Sequence, residues 1–238
     1  MSQEEKKYYL TQEQKEFLSR PFPRFERKSV ETLAQEARAV FKNLQPGQMI
    51  EGEGIFLEGI FLGCYKPDDR DGNSLGKTFN VLAAPQDLPD MMTYIETVKY
   101  VAELKNWYGF DGANYTTDKD IYAALKDGSY NGGWIVPSRV LLAGTEHDGK
   151  SGICKGKVIQ LDNLLDHHNK GAFKGTFKTA ATRASGYPDW YWSSTEYRGY
   201  SSFVHIVRFS DGYESWSHKD DGRLSCRPVR LVAAPSLG

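Results

Sequence analysis

The sequence predicts an α+β protein, with helices first and an antiparallel sheet last. Three observations carry that expectation. Apolar residues recur at helical spacing through the first half of the chain. The C-terminal stretch reads as short strands around turn signals. Nowhere do strands and helices alternate as the βαβ units of a parallel sheet require.

Taken in order, Thr11-Gln12-Glu13-Gln14 fits a capping box opening a short helix that Pro21 and Pro23 stop. Ser29 caps a second helix. Its apolar Val30, Leu33, Ala34, Ala37, Phe41 and Leu44 share one face, and Pro46-Gly47 ends it. A single apolar face implies that this segment packs on the rest of the chain. Ile55–Tyr65 reads as a strand, Lys66–Lys77 as a polar turn, and Phe79–Ala84 as a second strand. Asp90 is expected to cap a helix to about Lys105, with Ile95, Val98, Val101 and Ala102 on one face. Thr117 or Asp118 starts a shorter helix that ends at Gly128. Trp134-Ile135-Val136 is an apolar run before Pro137, followed by Ser138 and a short Arg139–Leu142 segment. Residues 144–157 read as a loop, and Leu161, Leu164, Leu165 and His168 mark a last short helix stopped at Gly171. Four strands follow: Trp190–Ser194, Phe203–Phe209, Tyr213–His218 and Leu224–Leu231, with Ser210-Asp211-Gly212 turning the middle pair.

The 238 residues carry 30 Lys plus Arg against 31 Asp plus Glu, a formal net charge of −1. Broad phosphate neutralisation needs a basic footprint, so nucleic acid is not an expected partner. No apolar run approaches the roughly 20 residues that span a bilayer, so no membrane insertion is expected. Met1–Leu10 is polar and charged, which reads as no signal peptide and a cytoplasmic or virion-associated protein. There are 23 Gly, and aromatics reach 13%, a composition that suits many turns and a wet recognition surface.

Little in the chain is equipped for chemistry. Cys64, Cys154 and Cys226 are odd in number and far apart, with no zinc spacing, so free thiols are the default. Asp69, Asp71 and Asn73 have the alternate spacing of a calcium loop, but Ser74 and Asn80 replace the required Gly and bidentate Glu. A solvated turn is the expectation. His167 and His168 point about 100° apart on a helix and do not converge on one ion. No metal and no cofactor is expected. No GxSxG, Walker A or GxGxxG stands in its strand–turn–helix context. Ser225-Cys226-Arg227 sets a thiol beside an Arg, yet mid-strand in apolar surroundings it reads as a buried inert cysteine. With no nucleophile, base and oxyanion site together, the chain does not read as an enzyme.

Four segments share a pattern: Gly132-Gly133-Trp134-Ile135-Val136-Pro137-Ser138, Asp189-Trp190-Tyr191-Trp192-Ser193-Ser194-Thr195-Glu196, Val207-Arg208-Phe209-Ser210-Asp211-Gly212, and Cys226-Arg227-Pro228-Val229-Arg230. Together they resemble the C-type lectin fold branch shared by formylglycine-generating enzymes and the variable proteins of diversity-generating retroelements. The resemblance covers roughly residues 50 to 232. It implies a C-type lectin-like domain, 49–238, with a variable ligand-binding region at about 190–230, on which the helical segment 1–48 read from the spacing above is expected to pack. One scaffold hosts several functions, so the motif order alone does not choose among them.

The final hairpin separates the branches. Such retroelements, as the resemblance implies, rewrite adenines in codons such as that for Asn, which never yields Trp, Met, Lys, Gln or Glu. Between Tyr197 and Gly222 only Glu214, Trp216 and Lys219 belong to that excluded set. Strand parity puts Tyr213, Ser215 and Ser217 on one face and Trp216 on the other, as a core anchor. Val207 and Phe209 read as core. His205 shares their parity and Ile206 does not, so exposing both requires a bulge. The candidate recognition surface is Arg198, Tyr200, Ser201, Ser202, His205, Ile206, Tyr213, Ser215, Ser217, His218, Asp220, Asp221 and Gly222. Tyr gives large contact area at low conformational cost while Ser and Gly adapt. Trp190, Trp192, Phe203, Phe209 and Trp216 are the expected framework.

The expected function is binding of an unknown protein or other surface receptor by a hypervariable, phage or bacterial, receptor-binding protein. One alternative is a formylglycine-generating-type oxidase, which needs a close pair of cysteines near the C-terminal core, where only Cys226 lies. The other is a non-diversified lectin-like adhesin. Ligand identity and oligomeric state stay open.

Overall fold

Two sheets built largely from the β-branched and aromatic runs of the sequence organise the protein. The computed structural model describes residues 41, 44–50, 59–67, 74–104, 115–130, 132–145, 152–153, 162–178 and 187–233. The expected helices before residue 41 and the calcium-like turn residues Asp69, Asp71 and Asn73 lie outside them. The described elements are β1 (Met49–Ile50), β2 (Gly59–Tyr65), β3 (Phe79–Ala83), α1 (Tyr94–Glu103), α2 (Asp118–Asp127), α3 (Arg139–Ala143), β4 (Gly152–Ile153) and α4 (Leu164–His167). A 3₁₀ turn at Gly171–Phe173 precedes β5 (Tyr187–Tyr197), β6 (Tyr200–Arg208), β7 (Tyr213–His218), β8 (Leu224–Ser225) and β9 (Val229–Ala233).

The class is α+β. One sheet has strand order β1-β2-β3-β9 and the other β4-β7-β6-β5-β8. All pairings are antiparallel except that of β5 with β8. The largest core lies between the sheets: Ile60, Leu62, Val81 and Leu231 from the first meet Tyr191, Val207 and Phe209 from the second. Ile121, Leu142, Leu164 and Phe173 from the helical segments close it. The far face of the second sheet is also covered, where Trp192, Val204 and Ile206 pack with Tyr94, Val98 and Val101 of α1. A small cluster of Ile50, Phe61 and Leu82 holds Phe41 and Leu44, the described end of the expected second helix. Among the described residues, no helix is long and apolar enough to cross a membrane.

Local signals place the helices with one shift. Thr117 caps α2 in a capping box with Asp120, and Gly128 ends it at φ 82°, a left-handed conformation that favours glycine. For α1 the cap is Thr93, not Asp90, and the helix ends at Glu103. Thr93 wins because Glu96 stands at the third helical position and its carboxylate accepts the Thr93 backbone N–H, completing the box. The buried stripe is then Tyr94, Thr97, Val98 and Val101, while Ile95 is 42% exposed. Ser138 caps α3.

The expected strand Leu224–Leu231 is two strands in two different sheets. Cys226-Arg227-Pro228 crosses between them, its carbonyls taking the Leu88 and Ala84 amides. Pro228 has no N–H to give a ladder. Arg227 is fully buried, its guanidinium on Asp87 at 2.8 Å, the carbonyls of Ala84, Pro85 and Thr176, and the Phe177 ring at 3.9 Å.

Candidate functional site

The end of the second sheet is formed by the β5–β6 turn and the loop leaving β7. Tyr197 pairs with Tyr200 across Arg198-Gly199. Gly199 sits at φ 87°, a conformation that a side chain resists and a tight hairpin needs. Arg198, Tyr200, Ser201 and Ser202 are exposed here, as expected, and so are Asp220 and Asp221.

One sheet face carries an aromatic strip. Directly opposed residues share a face, so Phe203 with His218, His205 with Trp216, and Val207 with Glu214 run in file. Tyr197 stacks on Trp216 at 4.5 Å and on Tyr200 at 5.8 Å, nearly parallel to both. Phe203 meets His218 edge-on at 5.1 Å. Tyr200 is 61% exposed and Trp216 37%.

Several expected roles change. Trp216 is not a core anchor. Arg139 of α3 buries the face at Glu214, and Trp216, two residues on, stands clear of it. His205 and Ile206 are not displayed, being 1% and 7% exposed. No bulge is needed in β6 against β7, because both faces of the sheet are covered there. Tyr213, Ser215, Ser217 and His218 are only half-buried rather than outward. Tyr213 belongs to a stacked group in which Arg208 lies 5.2 Å from both its ring and that of Trp190. Gly222 is structural: a Cβ there comes within 2.8 Å of Ser217 Oγ and 3.2 Å of the Trp192 ring. Of the expected framework, Trp192 and Phe209 are buried, whereas Trp190 and Phe203 are half-buried.

Polar groups to which the sequence assigns no structural role hold this end in place. Glu214, 1% exposed, accepts from Arg139 Nε and from Thr145 Oγ1 at 2.8 Å. The Arg139 amide in turn donates to Thr195 Oγ1 at 2.9 Å, so the start of α3 ties β5 to β7 across β6. Lys219 is held four ways. Its amide donates to the Ser202 carbonyl at 2.9 Å, its carbonyl accepts from the Tyr94 amide at 3.0 Å, its ammonium reaches Glu196 Oε1 at 2.9 Å, and that ammonium lies 5.8 Å from the Tyr94 ring centroid. Lys119 approaches the other Glu196 oxygen at 3.2 Å.

Burial by itself would raise the Glu196 pKa, but the hydrogen bonds from Lys219 and Lys119 outweigh it and hold the carboxyl below its ordinary 4.5. A carboxyl depressed on folding adds stability above its unfolded value, and loses it as pH falls through the folded one. Urea unfolding measured downwards from pH 4.5 is therefore expected to lose stability more steeply in the parent than in Glu196→Gln. Coincident slopes would show that the tether adds nothing.

The thiols and imidazoles sit in separate settings. Cys226 is 1% exposed, and burial, with Asp87 adding to it, pushes its thiol well above the ordinary range. His167 pairs with Asp162 at 3.4 Å, while His168 turns its ring to Phe209 and Phe177. Among the described residues, no three His, Cys, Asp or Glu side chains come together as a metal site. No family model, curated protein or solved structure matches the chain.

Proposed function

We propose that this chain is a ligand-binding protein of the retroelement-diversified kind, displaying changeable residues at the end of its second sheet to a protein or other surface receptor. The observation that carries this reading is a division of labour within one short stretch. Arg198, Tyr200, Ser201, Ser202, Asp220 and Asp221 are exposed, while the elements beneath them are fastened by Glu214 and Lys219. Those two anchors belong to the set that adenine rewriting of an Asn codon does not produce. Tyr, Ser and Arg at an exposed turn are paratope chemistry. Two small sheets with helices between and beside them suit the C-type lectin-like fold implied by the sequence resemblance. For the oxidase alternative, the buried Cys226 thiol, held protonated, is a poor nucleophile.

Randomising Arg198, Tyr200, Ser201, Ser202, His218, Asp220 and Asp221 in a displayed library is expected to give folded variants that bind unrelated target proteins. A library that folds and yields no binder against a broad panel contradicts the reading. So does a gene locus with no reverse transcriptase and no near-identical repeat differing at adenines.

A further inference from the structure

An exposed tyrosine ordinarily moves between rotamers, and a ligand that grips it must freeze it, at a cost in affinity. Tyr200 is 61% exposed, yet rings hold it on two sides. Tyr197 lies nearly parallel to it, at 5.8 Å and 21°, and Phe203 meets it edge-on at 6.3 Å and 85°. Offset-parallel and edge-to-face are the two favourable arrangements of aromatic pairs.

Tyr197 is itself fixed. Its ring stacks on Trp216 at 4.5 Å and 25°, and meets the His205 ring at 5.6 Å. His205 is 1% exposed and pairs with Trp216 across β6 and β7, so these contacts stand on the settled part of the sheet. Tyr197 and Tyr200 are also the closing pair of the β5–β6 hairpin, on either side of Arg198-Gly199. Tyr197 is therefore the ring common to both stacked pairs, and it joins Tyr200 of β6 to Trp216 of β7. Among the described residues, the three apolar core clusters take in none of Tyr197, Tyr200, Phe203 and Trp216. Filling a core is not what this stack does. It orients an exposed ring.

We propose that Tyr197 is a positioning residue, holding the Tyr200 ring in one orientation before a protein ligand arrives. The inference rests on the reading that this end of the sheet binds a protein, and it adds how one exposed side chain is made ready for that contact. Ordering one such ring in advance raises affinity about two- to ten-fold.

The test uses the full chain with 3-fluorotyrosine in place of Tyr200, followed by fluorine NMR without ligand. Stacked rings displace a neighbour's resonance, so one signal well away from that of the urea-unfolded chain is expected. Tyr197→Phe keeps the ring and is expected to keep the displacement. Tyr197→Leu removes the ring and is expected to return the signal at least halfway to the unfolded position. Trp216→Ala, which takes away the support of Tyr197, is expected to move the signal the same way by less. Should Tyr197→Leu not fold, Trp216→Ala alone decides. A second readout uses binders of hen lysozyme selected with Tyr200 kept and Arg198, Ser201, Ser202, Asp220 and Asp221 randomised, retaining those that Tyr200→Ala abolishes. Tyr197→Leu is expected to weaken them about two- to ten-fold and Tyr197→Phe to leave them unchanged. An unfolded-like Tyr200 signal in the parent, a signal indifferent to Tyr197→Leu and Trp216→Ala, or affinity unchanged by Tyr197→Leu overturns the inference. So does a Tyr197→Phe chain that behaves as Tyr197→Leu does. Those outcomes leave the display reading intact if the library yields folded binders. A folded library without binders sinks the display reading, while the ligand-free signal still decides whether Tyr197 orders Tyr200.

Discussion

Glu214→Ala is expected to destabilise the protein by about 3–5 kcal/mol, because it strands a buried guanidinium. Arg139 and Glu214 are 2% and 1% exposed, and Thr145 Oγ1 also donates to the carboxylate. Removing the carboxylate leaves the Arg139 guanidinium buried without this counter-ion. At roughly 2–4 °C per kcal/mol for a chain of this size, the melting temperature falls by about 10 °C. Replacing both partners with apolar residues, Arg139→Met with Glu214→Leu, is expected to recover much of the loss, since the cost lies in the unpaired charge. A double variant as unstable as the single one would place the effect in packing. The pair fixes the strand that carries Trp216 and His218, at the end of the sheet proposed to bind.

The second large effect contrasts two tryptophans two strands apart. Trp192 is fully buried, its indole N–H donates to the Met92 carbonyl at 2.8 Å, and its ring meets Tyr94 edge-on at 5.7 Å. Trp192→Ala is expected to cost about 3–5 kcal/mol in urea unfolding. Trp216→Ala removes a stacked but exposed ring, and a loss under about 1 kcal/mol is expected. Equal losses would mean that the strip is core.

What was legible in the sequence was local. Thr117 and Gly128 bound α2 correctly because cap and stop signals act within a turn. The β6–β7 hairpin followed from Ser210-Asp211-Gly212. The β5–β6 hairpin is longer than its sequence signals: Arg198-Gly199 lacks the Asn or Asp that marks a two-residue turn, and the strands run on to Tyr197 and Tyr200. Parity failed at His205, Ile206 and Trp216 because it presumes one wet face, whereas this sheet is covered on both faces at one end and on neither at the other. The buried arginines were illegible for a related reason. Arg139 and Arg227 find their carboxylates 75 and 140 residues away, and no local pattern marks such a pairing.

The proposed function requires one physical arrangement, a fastened frame carrying exchangeable groups. Its most direct measurement is the thermal unfolding of a chain in which the exposed Arg198, Tyr200, Ser201, Ser202, Asp220 and Asp221 are replaced together. Exposed changes cost within about 0.5 kcal/mol each and partly cancel, so a shift of no more than about 5 °C is expected. A fall as large as that of Glu214→Ala or Trp192→Ala alone would contradict the account, because those side chains would then be part of the frame.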